Sequence, residues 1–221
     1  MKLAVSALTR ALLGLVIFAL SIFLPAGTIC FANGWLFVAL LFVPMAIIGI
    51  VLFVKSPEML EKRLDMKEKE GTQKAVVAIS ALGLALGFVT AGLDFRFGWS
   101  SVPKAAILAA AVLFLLGYAM YAEVMRENAY LSRTVKVEEN QKVVDTGLYG
   151  CVRHPMYAAT VLMFLSMPIV LGSFYSLVVF LFYPVVIVVR IKNEEELLER
   201  ELDGYREYKT RVKYRLIPFV W

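Results

Sequence analysis

PMYAATVLMFLSMPIVLGSFYSLVVFLFYPVVIVV, residues 155–189, runs for 35 residues without a charged side chain. A membrane-crossing helix needs about 20 residues for a hydrocarbon core of about 30 Å, so this block is too long for one crossing. Pro168 and then Gly172-Ser173 interrupt it, and such residues break a helix and let the chain turn. The stretch reads as a helical hairpin. Its arms are short for full spans and carry Pro168 and Pro184, so tilted, kinked or incompletely crossing arms are expected.

Working towards the N-terminus, residues 11–26, 35–54, 75–93 and 104–122 are further apolar blocks. Each reads as one helix, because isolated strands leave backbone N–H and C=O groups unsatisfied in lipid. Hydrophobic residues make up 60% of the chain, and mean hydropathy is +0.74. The expected fold is an all-α integral membrane protein, with four transmembrane helices, a C-terminal hairpin and a cytoplasmic tail helix. No repeat, low-complexity segment or linker divides residues 1–221, which read as a single membrane domain. Residues 1–125 hold the four N-terminal spans; residues 123–221 gather most titratable groups, so any chemistry belongs to the region 126–221 that contains the hairpin. Met1-Lys2 and the apolar run to Leu24 also resemble the start of a signal peptide. Pro25-Ala-Gly27 is a poor cleavage site, so the expectation is an uncleaved first span.

Of the 23 Lys and Arg residues, all but Arg96 and Lys104 flank the spans on one side of this topology. By the positive-inside rule that side is cytoplasmic, and it holds both termini. A net charge of +5 could suggest nucleic acid. Here, however, basic residues interleave with acidic ones in short loops beside apolar spans, where anionic headgroups are the fitting partner. Cys30 and Cys151 fall on opposite faces, which excludes a disulfide between them, and with one histidine they make no metal set.

That histidine, His154, lies in Gly147-Leu-Tyr-Gly-Cys-Val-Arg-His-Pro-Met-Tyr157, where the charged segment 126–153 enters the hairpin. Val135, Val137, Val143 and Val144 suggest short extended pieces in this segment. Gly147 permits a turn, Tyr149 offers a ring and a hydroxyl, and Pro155 suits the first turn of a helix. Free helix N–H groups there favour anionic ligand groups. Alone, the same residues read equally as a capped helix with Arg153 snorkelling to headgroups and a structural interfacial histidine. Beyond the hairpin stand Arg190, Glu194, Glu195 and Glu196, then Gly204-Tyr205-Arg-Glu-Tyr208 and Arg215-Leu-Ile-Pro218. If helix continues past 189, Arg190 and Glu194 share a face, as do Leu198 and Leu202. The acidic triplet alone reads as a solvated face. Its position at one end of a hairpin whose other end is Arg-His-Pro argues for a site, with an amphipathic tail folding back over the mouth.

Gly147-x-Tyr149-x-x-x-Arg153-His154-Pro155-x-Tyr157, followed by Arg190-x-x-x-Glu194-Glu195-x-x-Leu198 and Tyr205-x-x-Tyr208, resembles the isoprenylcysteine carboxyl methyltransferase and phospholipid methyltransferase group. The likeness covers residues 135–220. Ser56-Pro-Glu-Met-Leu-Glu-Lys-Arg63 and Ala91-Gly-Leu-Asp-Phe-Arg-Phe-Gly-Trp-Ser100 extend it more loosely towards the prokaryotic branch. The resemblance implies a methyltransferase using S-adenosylmethionine, with a cytosolic cofactor pocket and a tunnel from the bilayer for a lipophilic acceptor. Gly147, Leu148, Tyr149, His154, Pro155, Tyr157 and Glu195 correspond to the cofactor-binding set, and Arg190 and Glu194 to the pair nearest the acceptor.

Methyl transfer from a sulfonium requires alignment and exclusion of water rather than a nucleophilic triad. Arg190 suits an acceptor carboxylate, and Glu194 a proton acceptor if the acceptor is an amine. Gly147-Leu-Tyr-Gly150 is no dinucleotide fingerprint, so any cofactor is held by another architecture. Prenylcysteine, phospholipid and a small hydrophobic acid or thiol are all open as acceptors. A membrane sterol reductase is the alternative enzyme class, though it calls for more polar residues around a larger nicotinamide cofactor. A non-catalytic lipid-binding or channel-like protein is the other alternative. A channel would put charges inside its spans, and here they gather at one face.

Overall fold

The computed structural model describes residues 2–64, 71–131, 137 and 140–221. The described residues form helices and connecting segments, with no strand. Val143 and Val144 therefore lie in irregular chain, and Val135 is outside the described residues.

Four long helices come first: α1 (Lys2–Ala26), α2 (Ala32–Lys55), α4 (Gly71–Phe97) and α5 (Lys104–Glu127), with the short α3 (Pro57–Leu64) between the second and third. At 1.5 Å per residue each long helix extends for roughly 36–40 Å, enough for the hydrocarbon core. They correspond to the four expected N-terminal spans. Outward-facing Leu13, Ile17, Leu20, Ile47, Leu82, Leu86 and Leu113 are exposed, as lipid-facing side chains are. Inside, Ile22, Phe37, Phe88, Phe114 and Phe180 are buried together. Two glycines allow backbones to approach: a Cβ at Gly92 would stand 2.5 Å from the Ile22 carbonyl oxygen, and one at Gly117 would stand 2.5 Å from Met163 Cγ. Small residues serve this purpose where lipid offers no hydrophobic drive for helices to associate.

The hairpin follows as α6 (Pro155–Leu171), α7 (Phe174–Phe180) and α8 (Tyr183–Glu201). Its turn differs in detail from the expectation. Pro168 is carried within the last turn of α6, and the chain reverses at Gly172, whose φ of 81° is the left-handed conformation glycine adopts readily. Ser173 then caps α7, accepting from the Ser176 N–H at 3.0 Å. Its hydroxyl also donates to Asp94 at 2.5 Å. Asp94 is 1% exposed and accepts from the Ser100 N–H and hydroxyl at 2.7 and 2.5 Å. This buried carboxylate thus pins the end of α4 to the hairpin turn.

The second arm is interrupted at Leu181-Phe182 because Pro184 has no N–H for the preceding turn. Phe174–Glu201 is still long and apolar enough to cross, as are Leu3–Ala26, Ala32–Lys55, Ala75–Phe97 and Lys104–Glu127, while α6 is a shorter apolar helix. Helix α8 does not stop at 189. It continues to Glu201 and so presents Arg190, Glu194 and Glu195 from one rigid element.

Between the second and third long helices, α3 buries Met59 and Leu60. Met59 packs with Val124, Met125, Leu131 and Tyr149, while the Lys62 ammonium donates to the Ala129 carbonyl at 3.3 Å and Arg10 donates to the Leu64 carbonyl. The N-terminal half therefore braces the segment that enters the hairpin.

Candidate functional site

A one-turn 3-10 helix, Gly147–Gly150, precedes the hairpin. Gly147 has a φ of 54°, so a side chain there would be strained. The turn buries the Tyr149 ring, whose hydroxyl accepts from Asn128 Nδ2 at 2.9 Å and whose carbonyl accepts from the Tyr208 hydroxyl at 2.8 Å. Burial, with the Asn128 bond opposing it, pushes the Tyr149 phenol up to about 12. His154 is the N-cap of α6 and Pro155 its first residue. The Tyr157 and Ala158 N–H groups both close onto the His154 carbonyl, at 3.0 and 3.1 Å. Of the first-turn donors expected to be open to an anionic group, that of Tyr157 is already engaged.

The C-terminal tail folds back over this entrance, as expected. After α9 (Tyr205–Arg211) the chain passes beside residues 153 and 154, and the Arg153 and His154 N–H groups donate to the Tyr214 and Arg215 carbonyls, each at 2.9 Å. Arg153 does not snorkel to headgroups. It is buried, with its guanidinium on Glu195 Oε1 at 2.7 Å and on the Val212 and Lys213 carbonyls at 2.7 and 2.8 Å. Glu195 is 2% exposed, so it is no part of a solvated acidic face. His154 Nε2 lies 3.2 Å from its Oε1, and Arg215 Nε donates to its Oε2 at 2.8 Å. One buried carboxylate thereby ties the hairpin entrance, the hairpin exit and the tail together.

In front of this cluster is a cleft open to solvent. Six expected site residues line it: Tyr149, His154, Pro155, Tyr157, Arg190 and Glu194. The Tyr157 hydroxyl accepts from Arg190 Nε at 2.7 Å and donates to Glu194, so it bridges the two residues expected nearest the acceptor. The Arg190 guanidinium also sits 5.8 Å from the Tyr157 ring centroid. Leu198, Leu202, Val143, Tyr205 and Tyr208 form the less polar wall.

Gly147, Leu148 and Glu195 are not on that lining. Gly147 and Leu148 build the turn, with Leu148 packed beside Tyr149, and Glu195 lies behind His154. Asn128, Arg215 and the cleft-lining Tyr205 and Tyr208 are among the residues that sequence reasoning did not assign to the site. Arg215 stood in a noted motif without a role, while nothing in the pattern around Asn128 marks it.

Comparison with known proteins bears on these residues. Residues 105–203 match the phospholipid methyltransferase family. The family segment begins in α5 and runs through both hairpin arms to the end of α8, so it contains every residue expected in the site. A delta(14)-sterol reductase of Mus musculus is 30% identical over 91 residues, 40% of this chain and 22% of the reductase. The match therefore spans about a fifth of that protein's length. The chain carries a methyltransferase-family segment in a membrane protein of several apolar helices.

Proposed function

We propose that this protein is an S-adenosylmethionine-dependent methyltransferase of a lipophilic acceptor, with carboxyl O-methylation the favoured reaction. The observation that carries the reading is the cleft at the hairpin mouth, lined by Arg190, Glu194, Tyr157 and His154 within the family segment. Its donor set fits the cofactor. The polar groups of Tyr149, His154 and Tyr157 suit the amino-acid end and ribose hydroxyls, and an apolar wall of Leu198, Leu202 and Val143 suits a nucleobase. When bound, S-adenosylmethionine supplies an activated methyl group for in-line transfer.

The protein's part is alignment and desolvation. Tyr149, His154, Pro155 and Tyr157 form the cofactor wall; Gly147 and Leu148 set its turn; Glu195 fixes His154 from behind. Arg190 orients an acceptor carboxylate, which is already ionised and requires no base. With an amine acceptor, Glu194 takes the proton. An apolar groove between α5 and α6, lined by Ala109, Leu113, Ala158, Val161 and Leu165, supports a lipophilic acceptor. We assign the cleft and both termini to the cytoplasmic face of a prokaryotic plasma membrane, with both hairpin arms returning to that face.

The identity to a sterol reductase supports a second reading, a membrane reductase using a nicotinamide cofactor. The two separate in one titration of the detergent-solubilised protein. We expect S-adenosylhomocysteine to bind and raise the melting temperature, with NADPH inert. Binding of NADPH alone would favour the reductase, and a folded protein that binds neither would overturn both.

A further inference from the structure

The tyrosines of the cleft are not alike. Tyr149 has Asn128 on its hydroxyl, Tyr157 has Arg190 and Glu194, and Tyr208 has the Tyr149 carbonyl. Tyr205 is 4% exposed and lines the same cleft, yet its hydroxyl is buried with no hydrogen-bond partner among the described residues. A phenol out of water and unpaired is a destabilising arrangement, since the desolvation of the hydroxyl is not compensated. Packing gives it no purpose. The ring sits with Leu202, Tyr208, Val212 and the partly buried Val137, Val143 and Leu198, and a phenylalanine would serve that cluster equally.

Gly204 with a φ of 81° lets the chain turn from α8 into α9, which brings Tyr205 back over Leu198 and Leu202. Burial first, then the neighbouring Glu195 and Glu194 charges, raises the Tyr205 phenol above its ordinary value. It is therefore a proton donor at neutral pH. What it meets must offer an acceptor atom and be flat and weakly polar, because the surrounding wall is aliphatic and aromatic. A purine has apolar faces and ring nitrogens on its edge.

We infer that the Tyr205 hydroxyl donates a hydrogen bond to the nucleobase of the methyl donor. This rests on the methyltransferase reading and extends the binding site beyond residue 203, where the family match ends.

Tyr205→Phe removes the hydroxyl and nothing else, with Tyr208→Phe as the reference that does lose a protein partner. Without ligand, Tyr205→Phe should melt at or above the wild-type temperature, whereas Tyr208→Phe should melt lower. The Kd of Tyr205→Phe for S-adenosylhomocysteine should rise roughly 5- to 20-fold, the loss expected for one buried hydrogen bond. Adenosine, which lacks the amino-acid end, should weaken by the same factor. A lower ligand-free melting temperature for Tyr205→Phe would overturn the inference, because the hydroxyl would then be serving the fold. Unchanged binding of S-adenosylhomocysteine by Tyr205→Phe, or unchanged binding of adenosine alone, would overturn it with the methyltransferase reading intact. Wild-type protein that fails to bind S-adenosylhomocysteine would remove the methyltransferase reading itself.

Discussion

The buried Glu195 receives hydrogen bonds from the buried Arg153 and the half-buried Arg215 and faces the buried His154 Nε2. Removing one partner of such an ion pair leaves the other charge buried and unmatched, at a cost of about 3–5 kcal/mol. Glu195→Ala should therefore lower stability by about 3 kcal/mol or more, read by thermal denaturation in detergent, and weaken S-adenosylhomocysteine binding as well. Arg190→Ala tests a different link. Its guanidinium faces the cleft and Tyr157, so it should leave cofactor affinity within about twofold while raising the acceptor KM or lowering kcat at least tenfold. A large loss of cofactor affinity in that variant would reverse the assignment. At this scale the sequence was informative about which residues gather and less so about which face the ligand. Spacing brought Arg153, His154, Glu194 and Glu195 to one place, because the two ends of a hairpin are neighbours. It could not tell that Glu195 points behind His154 while Glu194 points into the cleft, since adjacent helical positions differ by about 100° and the tail decides which side is covered.

The elements that frame the site were legible where apolar length alone decides them, as in α1, α2, α4 and α5. Their ends and breaks depend on contacts beyond local sequence. Pro168 was expected to break its arm and instead lies inside α6, because Gly172 and the Ser173 cap supply the reversal. Helix α3 is not legible in the sequence because its apolar residues are few and its burial comes from α2, α5 and Tyr149. Packing between α1 and α4 rests on Gly92, whose missing Cβ makes room for the Ile22 carbonyl. Backbone cannot yield as a flexible side chain does. Gly92→Ala should destabilise the protein by about 1–3 kcal/mol, the range for overpacking, without changing relative affinities for S-adenosylhomocysteine and NADPH.

For the whole molecule, the distribution of charge sets the expected orientation. Cys30 lies between α1 and α2, Cys151 lies before α6, and both are exposed and free. They therefore report on opposite faces. With the cleft on the cytoplasmic side, a membrane-impermeant maleimide should label Cys30 in intact cells and reach Cys151 only after permeabilisation. The reverse pattern would place the site outside. Residues 105–203, the family segment, hold the cleft-lining groups of the hairpin, and α3 and the tail brace the hairpin mouth from outside that segment.

We propose that this cleft delivers a methyl group to a lipophilic acceptor. Protein reconstituted in vesicles, given methyl-labelled S-adenosylmethionine and a prenylated cysteine, should transfer label into an organic-extractable, base-labile ester, with Arg190→Ala reducing the yield at least tenfold. Label in a base-stable amine product of a phospholipid headgroup would contradict the carboxyl assignment. No labelled lipophile of either kind, from folded protein supplied with both acceptors, would contradict methyl transfer at this cleft.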